Sequence, residues 1–151
     1  MGVIVPKILL AEDNSADVYL IRESLREHGV ECTMQVASDG GEVLRIIAGD
    51  PAQEGETPVL IVLDLNLPRH DGLEILERLR ESRRLSGVPV VVLTSSDSPQ
   101  DRLIATKLGA RMYLRKPSNL EQFLDLGQVF KELIGQKPAA DAATTGASNE
   151  N

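Results

Sequence analysis

The run Val59-Leu60-Ile61-Val62-Leu63, closed by Asp64, constrains the fold of this chain more than any other stretch. Five β-branched and leucine residues are too few for a helix of their own. They are also too uniformly apolar for a strand with one wet face. They read as a strand buried on both sides, the kind found in the middle of a parallel sheet. Leu65-Asn66-Leu67-Pro68 follows, and the proline turns the chain out of the sheet. Ligands of open parallel α/β sheets bind beyond the carboxyl ends of the strands, so Asp64 is placed for chemistry.

Two other runs end the same way. Lys7-Ile8-Leu9-Leu10-Ala11 is followed by Glu12 and Asp13, and Val90-Val91-Val92-Leu93 by Thr94, Ser95 and Ser96. A shorter segment, Met112-Tyr113-Leu114-Arg115, ends at Lys116-Pro117, and Thr33-Met34-Gln35-Val36-Ala37 supplies one more short strand.

Between these runs the apolar period changes to that of helices. Asn14 caps a helix with Val18, Ile21 and Leu25 on one stripe, ended by His28-Gly29. Asp39-Gly40-Gly41-Glu42 has capping-box spacing for a helix through about Ala48, with Val43, Leu44 and Ile47 inward. Asp71-Gly72 opens a helix that buries Leu73, Leu76 and Leu79, and Ser98-Pro99 starts another that runs to about Leu108 before Gly109. Ser118-Asn119-Leu120-Glu121 reads as a capping box for a last helix to about Ile134. Strand and helix alternate five times, which predicts one parallel sheet wrapped by helices on both faces. Residues 49–58 carry Gly, Pro and acid with no apolar period, so a surface loop is expected. The domain is expected over 1–137, with 138–151 a disordered tail of Ala, Thr, Gly, Ser, Asn and acid.

Composition narrows the function classes. The chain is 42% hydrophobic and 26% charged, as ordinary globular domains are, and 151 residues fit one domain. A net charge of -7 gives no electrostatic footprint for nucleic acid. No apolar run approaches the ~20 residues that cross a bilayer, and the N-terminus lacks signal-peptide features. The single cysteine, Cys32, has no partner for an internal disulfide and reads as a small residue near a strand. A cytoplasmic protein that touches neither nucleic acid nor membrane is expected.

Parallel neighbours bring Glu12, Asp13, Asp64, Thr94 and Lys116 to one edge. Converging carboxylates repel and favour a cation among them. Hard oxygens suit Mg²⁺, the Asn66 carbonyl lies two residues beyond Asp64, and Lys and Thr take up phosphate oxygens. Two other classes compete with a phosphoryl acceptor. A phosphatase with an aspartyl nucleophile, of the haloacid-dehalogenase type, wants a second Asp where this chain has Asn66, and a cap domain for which there is no room. A scaffold module would leave the Asp64, Thr94 and Lys116 set without use.

Over residues 7–134 the chain resembles the receiver domains of two-component response regulators. The resemblance rests on the pair Glu12-Asp13, on Leu63-Asp64-Leu65-Asn66-Leu67-Pro68 with Asp71-Gly72, on Thr94-Ser95, and on Tyr113 three residues before Lys116-Pro117. It implies a flavodoxin-like, doubly wound five-stranded sheet of order 2-1-3-4-5. It also implies Asp64 as the acceptor of phosphate from a sensor histidine kinase, so that the protein is a signalling phosphoprotein and turns over only its own phosphate. Asp13, Asp64 and the Asn66 carbonyl are the implied Mg²⁺ ligands, with Glu12 acting through water; Glu replaces the family's Asp at that position. Lys116 and Thr94 are the implied partners of the phosphoryl group, and Thr94 with Tyr113 the switch pair, Tyr113 taking space that Thr94 vacates. Asn66 and Ser96 occupy positions that tune the phosphate's lifetime, and Lys116-Pro117 is the implied cis peptide. Within the family the chain is similar to stand-alone regulators paired with bacterial phytochrome-type kinases, on the stretch Lys116-Pro117-Ser118-Asn119-Leu120-Glu121-Gln122-Phe123 and the long loop before the third strand.

With no effector domain expected to follow, the readout is expected to be a surface. In the last helix Leu120, Leu124 and Ile134 can cover the sheet, while Phe123, Leu126, Phe130 and Leu133 form a second, heptad-spaced stripe. That stripe reads equally as core or as partner face, and a homodimer through the fourth helix, the fifth strand and the last helix is expected.

Overall fold

The structure, a computed structural model, describes residues 5–49 and 57–135. Five strands alternate with five helices: β1 Lys7–Ala11, α1 Ser15–Glu27, β2 Thr33–Ala37, α2 Gly40–Ala48, β3 Leu60–Leu63, α3 Gly72–Glu81, β4 Val90–Thr94, α4 Pro99–Lys107, β5 Met112–Arg115 and α5 Leu120–Gly135. All strand pairs are parallel, in the order β2-β1-β3-β4-β5. This is the expected doubly wound flavodoxin-like sheet. Residues 50–56 of the expected loop and the expected tail over 138–151 lie outside the described residues. No helix among the described residues is long and apolar enough to cross a membrane.

Each helix begins at a side-chain oxygen that accepts an otherwise unpaired amide, a contact worth about 1 kcal/mol. Asn14 Oδ1 accepts from Asp17 N at 3.0 Å, Asp39 Oδ1 from Glu42 N at 2.9 Å, and Asp71 Oδ1 from Leu73 N at 3.0 Å. Ser98 Oγ accepts from Asp101 N at 3.2 Å, and Asn119 Oδ1 from Gln122 N at 3.0 Å. The last helix is thus capped by Asn119, one residue after the Ser118 that the capping-box spacing suggested.

The period of two along the strands divides the core into two layers. Leu9, Ala11, Ile61, Leu63 and Val92 face α2, α3 and α4, where they meet Val43, Ile75, Leu76, Leu79 and Ala105. Ile8, Leu10, Leu60, Val62, Val91 and Leu93 face α1 and α5, against Ile21, Leu25, Phe123, Leu126, Phe130 and Leu133. On α3 the buried stripe is Gly72, Ile75, Leu76 and Leu79, and Leu73 is only half-buried.

The last helix corrects the sequence reading. Phe123, Leu126, Phe130 and Leu133 are the residues that cover the sheet, while Leu120 is 62% exposed and Leu124 and Ile134 are half-buried. Burial of a phenylalanine or leucine contributes about 1.5–3 kcal/mol, so the face carrying the chain's two phenylalanines goes inward and Leu120 is left outside.

The register fixes the site. Leu63 pairs with Ala11 on one side and Val92 on the other, and Thr94 pairs with Arg115. The next residues therefore emerge at one edge, tied to it by their amides: Glu12 N donates to Ala37 O at 3.0 Å, Asp64 N to Ala11 O at 3.0 Å and Lys116 N to Thr94 O at 2.8 Å.

Candidate functional site

At the carboxyl edge of the sheet, β1 delivers Glu12 and Asp13, β3 delivers Asp64, β4 delivers Thr94 and β5 delivers Lys116. Glu12 and Asp64 are buried, at 2% and 4% exposure, and Asp13 is open to solvent. Carboxylate oxygens of Glu12, Asp13 and Asp64 lie within 4.8 Å of one another. Hard oxygens so grouped, one of them facing solvent, fit a divalent cation. The Lys116 ammonium reaches into the same cluster. It donates to Asp64 Oδ2 at 2.8 Å and pairs with Glu12 Oε1 at 2.9 Å.

One member escaped the sequence reading. Asp17, in the first turn of α1, accepts from Lys116 Nζ at 2.7 Å. It stands at no strand end, where the other members were found, but four residues past Asp13. An acid in the first turn of the helix that leaves the end of β1 is the signal that could have found it.

Asp64 is held from two sides, Oδ2 by Lys116 and Oδ1 by the Asn66 amide at 2.9 Å. Asn66 Nδ2 donates to Thr94 Oγ1 at 3.3 Å and to Ser95 Oγ at 3.5 Å, and Ser96 N donates to Thr94 Oγ1 at 3.4 Å. Thr94 is fully buried. Both contacts use its oxygen as acceptor, which leaves the hydroxyl proton for an incoming oxygen. Tyr113 meets the loop after β4: its hydroxyl donates to Ser96 O at 3.2 Å, and the Arg102 guanidinium lies 4.7 Å from its ring centroid. Tyr113 already sits inward, at 7% exposure. The Lys116–Pro117 bond, implied to be cis, is trans, as no cis peptide occurs among the described residues. An X–Pro bond prefers trans by about 0.5–1 kcal/mol, and Lys116 reaches all three carboxylates from that arrangement.

Around one ammonium stand three carboxylates, and burial decides which one yields. Burial pushes Glu12 up from 4.5 to about 7, against the pull of its bonds from Lys116 and the Asn14 amide. Burial also works against charge on Lys116, but its bonds to Asp17, Asp64 and Glu12 hold the ammonium well above the usual lysine range. Between pH 4.5 and 7 the native state keeps a proton on Glu12 that the unfolded chain has released, so this residue's contribution to stability falls as pH rises through that window. A tenfold change in proton affinity is worth about 1.4 kcal/mol, so the loss is of order 3 kcal/mol at most. In EDTA, the urea midpoint of wild type relative to Glu12→Gln is expected to drop from pH 5 to 7.5. Parallel curves for the two proteins would contradict this.

A family model described as the response regulator receiver domain matches residues 8–127. Response regulator Rcp1 of Synechocystis sp. is 34% identical over 122 residues, which cover 80% of this chain and 83% of Rcp1. The chain spans about half the length of some other curated relatives it matches, such as response regulator MprA of Mycobacterium ulcerans, of which 47% is covered. Among solved structures, the phosphorylated cyanobacterial phytochrome response regulator RcpA superposes with a TM-score of 0.81 at 33% identity, over 89% of this chain and 99% of that one. The Mn²⁺-bound form of Rcp1 superposes with a TM-score of 0.79 at 31% identity, over 88% of this chain and 98% of that one.

Proposed function

The chain belongs to the response regulator receiver-domain family, and on that premise we propose that it accepts a phosphoryl group on Asp64 from a sensor histidine kinase, in the presence of Mg²⁺, and switches a partner surface. The observation that carries this reading is the buried Asp64 carboxylate, bonded at once to Lys116 and to the Asn66 amide beside the acidic pair. The similarity to RcpA, a phytochrome response regulator, supports a phytochrome-type kinase.

An Asp64 oxygen attacks phosphorus in line. The new O–P bond forms as the N–P bond of the phosphohistidine breaks, and the electron pair goes to the imidazole. Asp13, Asp64 and the Asn66 carbonyl, with Glu12 through water, would hold the Mg²⁺, which when bound neutralises charge on the transferred oxygens. Mn²⁺ in the similar Rcp1 supports a divalent ion here. Lys116 exchanges its bond to Asp64 for one to a phosphoryl oxygen, and Thr94 turns its hydroxyl proton to another. The aspartyl phosphate brings roughly two negative charges. Charge-assisted hydrogen bonds contribute about 1.5–3 kcal/mol each, so two or three reach the ~5.5 kcal/mol that swings an equilibrium from 1:99 to 99:1. Tyr113, anchored on the Ser96 carbonyl, carries the movement of that loop to β5. The protein is both catalyst and substrate and acts on nothing but its own phosphate. This reading puts it in the cytoplasm, where histidine kinases donate.

Trapping tests the acceptor. After incubation with acetyl phosphate and Mg²⁺, borohydride reduction should convert residue 64 to homoserine; label on any other residue would overturn the assignment.

The output surface in this reading is a homodimer through α4, β5 and α5. Its support is apolar surface rather than the inward stripe of α5: Leu103 is 56% exposed, Leu120 is 62% exposed, and β5 is an edge strand. So few exposed anchors favour a weak dimer below the usual interface size. Sedimentation at tens of micromolar should show a shift toward dimer on phosphorylation. A monomer in both states would contradict it.

A further inference from the structure

Asp17 stands apart from the other carboxylates around Lys116. It is not among the three whose oxygens group for a cation, yet it makes the shortest of the lysine's ion pairs, 2.7 Å against 2.8 Å for Asp64 and 2.9 Å for Glu12. It is also held independently of the sheet edge. Its own amide is capped by Asn14 Oδ1, and its acid sits in the first turn of α1, where the helix dipole favours a negative charge. The side chains of Asp17 and Lys116 are mostly buried, at 19% and 13% exposure, so solvent screens the pair little.

We infer that Asp17 is a positioning residue for phosphoryl transfer, gripping the Lys116 ammonium from the α1 side so that it is already in place when the phosphoryl group arrives. The inference rests on the acceptor role of Asp64 proposed above. As Asp64 becomes an acyl phosphate its carboxyl gives up the charge that holds the lysine, and Glu12 faces the cation side of the site. Asp17 is the one carboxylate that takes no part in either event, so its bond to Lys116 persists through the reaction. A lysine is a point charge on a flexible four-carbon stem. Fixing it before the donor binds removes that ordering from the barrier. The opposite effect, Asp17 holding the ammonium away from the phosphoryl group, would make its removal accelerate the reaction. The two are therefore distinguished by sign.

The test is the second-order rate constant for phosphorylation by acetyl phosphate in Mg²⁺, followed by intact mass, for wild type, Asp17→Ala, Asp17→Asn, Lys116→Met and the Asp17→Ala/Lys116→Met pair. Asp17→Ala is expected to react roughly tenfold more slowly, equivalent to about 1.4 kcal/mol of barrier. Asp17→Asn keeps an acceptor for the ammonium without the charge and should fall between, which rescues part of the loss and also serves if the alanine variant does not fold. In the Lys116→Met background Asp17→Ala should have no further effect, because Asp17 acts through Lys116. A rate for Asp17→Ala at or above wild type would overturn the inference. So would a full tenfold loss in the absence of Lys116, since that would mean a structural role. A wild type that takes up no phosphate overturns the parent reading and this one with it, whereas normal phosphorylation with an indifferent Asp17 overturns only this one.

Discussion

Replacing Lys116 with methionine is expected to cost about 3 kcal/mol of stability in EDTA, to return most of that in millimolar Mg²⁺, and to slow phosphorylation about a hundredfold. The lysine answers three carboxylates at 2.7–2.9 Å, two of them buried. Removing one partner of a buried ion pair costs about 3–5 kcal/mol because the other charge is left unpaired. The lower end applies here. Glu12, already pushed up to about 7 by burial, takes a proton and relieves the repulsion, and Asp17 keeps some contact with water. The carboxylates left facing one another hold a divalent cation more tightly than before. Binding at a hundred times the dissociation constant adds about 2.7 kcal/mol to the native state, which sets the size of the recovery. The rate falls because a charge-assisted contact to the phosphoryl group is lost, at about 1.5–3 kcal/mol. Urea denaturation with and without Mg²⁺ measures the first two effects. A midpoint indifferent to the substitution would show that the cluster is not held by the lysine.

Gly127→Ala is expected to lower the melting temperature by about 5–10 °C. Gly127 is buried in α5 where that helix crosses α1, and a Cβ there would overlap the Ser24 carbonyl oxygen and Nδ1 of His28. Two effects oppose each other. Alanine in a helix interior is favoured over glycine by about 1 kcal/mol. Overpacking costs about 1–3 kcal/mol and more where backbone is the obstacle, and here the Ser24 carbonyl already accepts from His28 Nδ1 at 2.9 Å. Because the obstacle is the Ser24 backbone, the clash costs about 3–4 kcal/mol. Less the helix gain this leaves a net loss of about 2–3 kcal/mol, and 1 kcal/mol shifts the melting point of a chain this size by about 2–4 °C. Calorimetry giving an unchanged or raised melting temperature would mean that the α1–α5 crossing is looser than described. Gly72 presents the same constraint nearer the site, since a Cβ there would overlap the backbone of Leu65, next to Asp64.

What could be read in the sequence follows how local its cause is. The buried strands announced themselves because a parallel sheet covered on both faces demands apolar runs, and the helix starts because a capping oxygen and the amide it accepts are neighbours in sequence. Glu12, Asp13, Asp64, Thr94 and Lys116 were legible because each is the residue at, or just past, the end of such a run, and parallel pairing then dictates their meeting. Asp17 was not: it reaches Lys116 across 99 positions of sequence, from a helix whose rotation against the sheet is a tertiary property. The face of α5 was misread for a related reason. With apolar residues over more than half of its circumference, period alone does not say which side turns inward; the close crossing at Gly127 and the bulk of Phe123 and Phe130 do. Arg69, at φ 83° in the loop after β3, carries a left-handed backbone with none of the glycine or asparagine that would have signalled it.

The measurement that bears most directly on the central claim is intact mass after incubation with acetyl phosphate, with Mg²⁺ or with EDTA, beside an Asp64→Asn control. Wild type with Mg²⁺ is predicted to gain one phosphoryl group, with no gain in EDTA or in the control. A gain that persists in Asp64→Asn, or no gain in wild type from either acetyl phosphate or a panel of histidine kinases, would contradict the assignment.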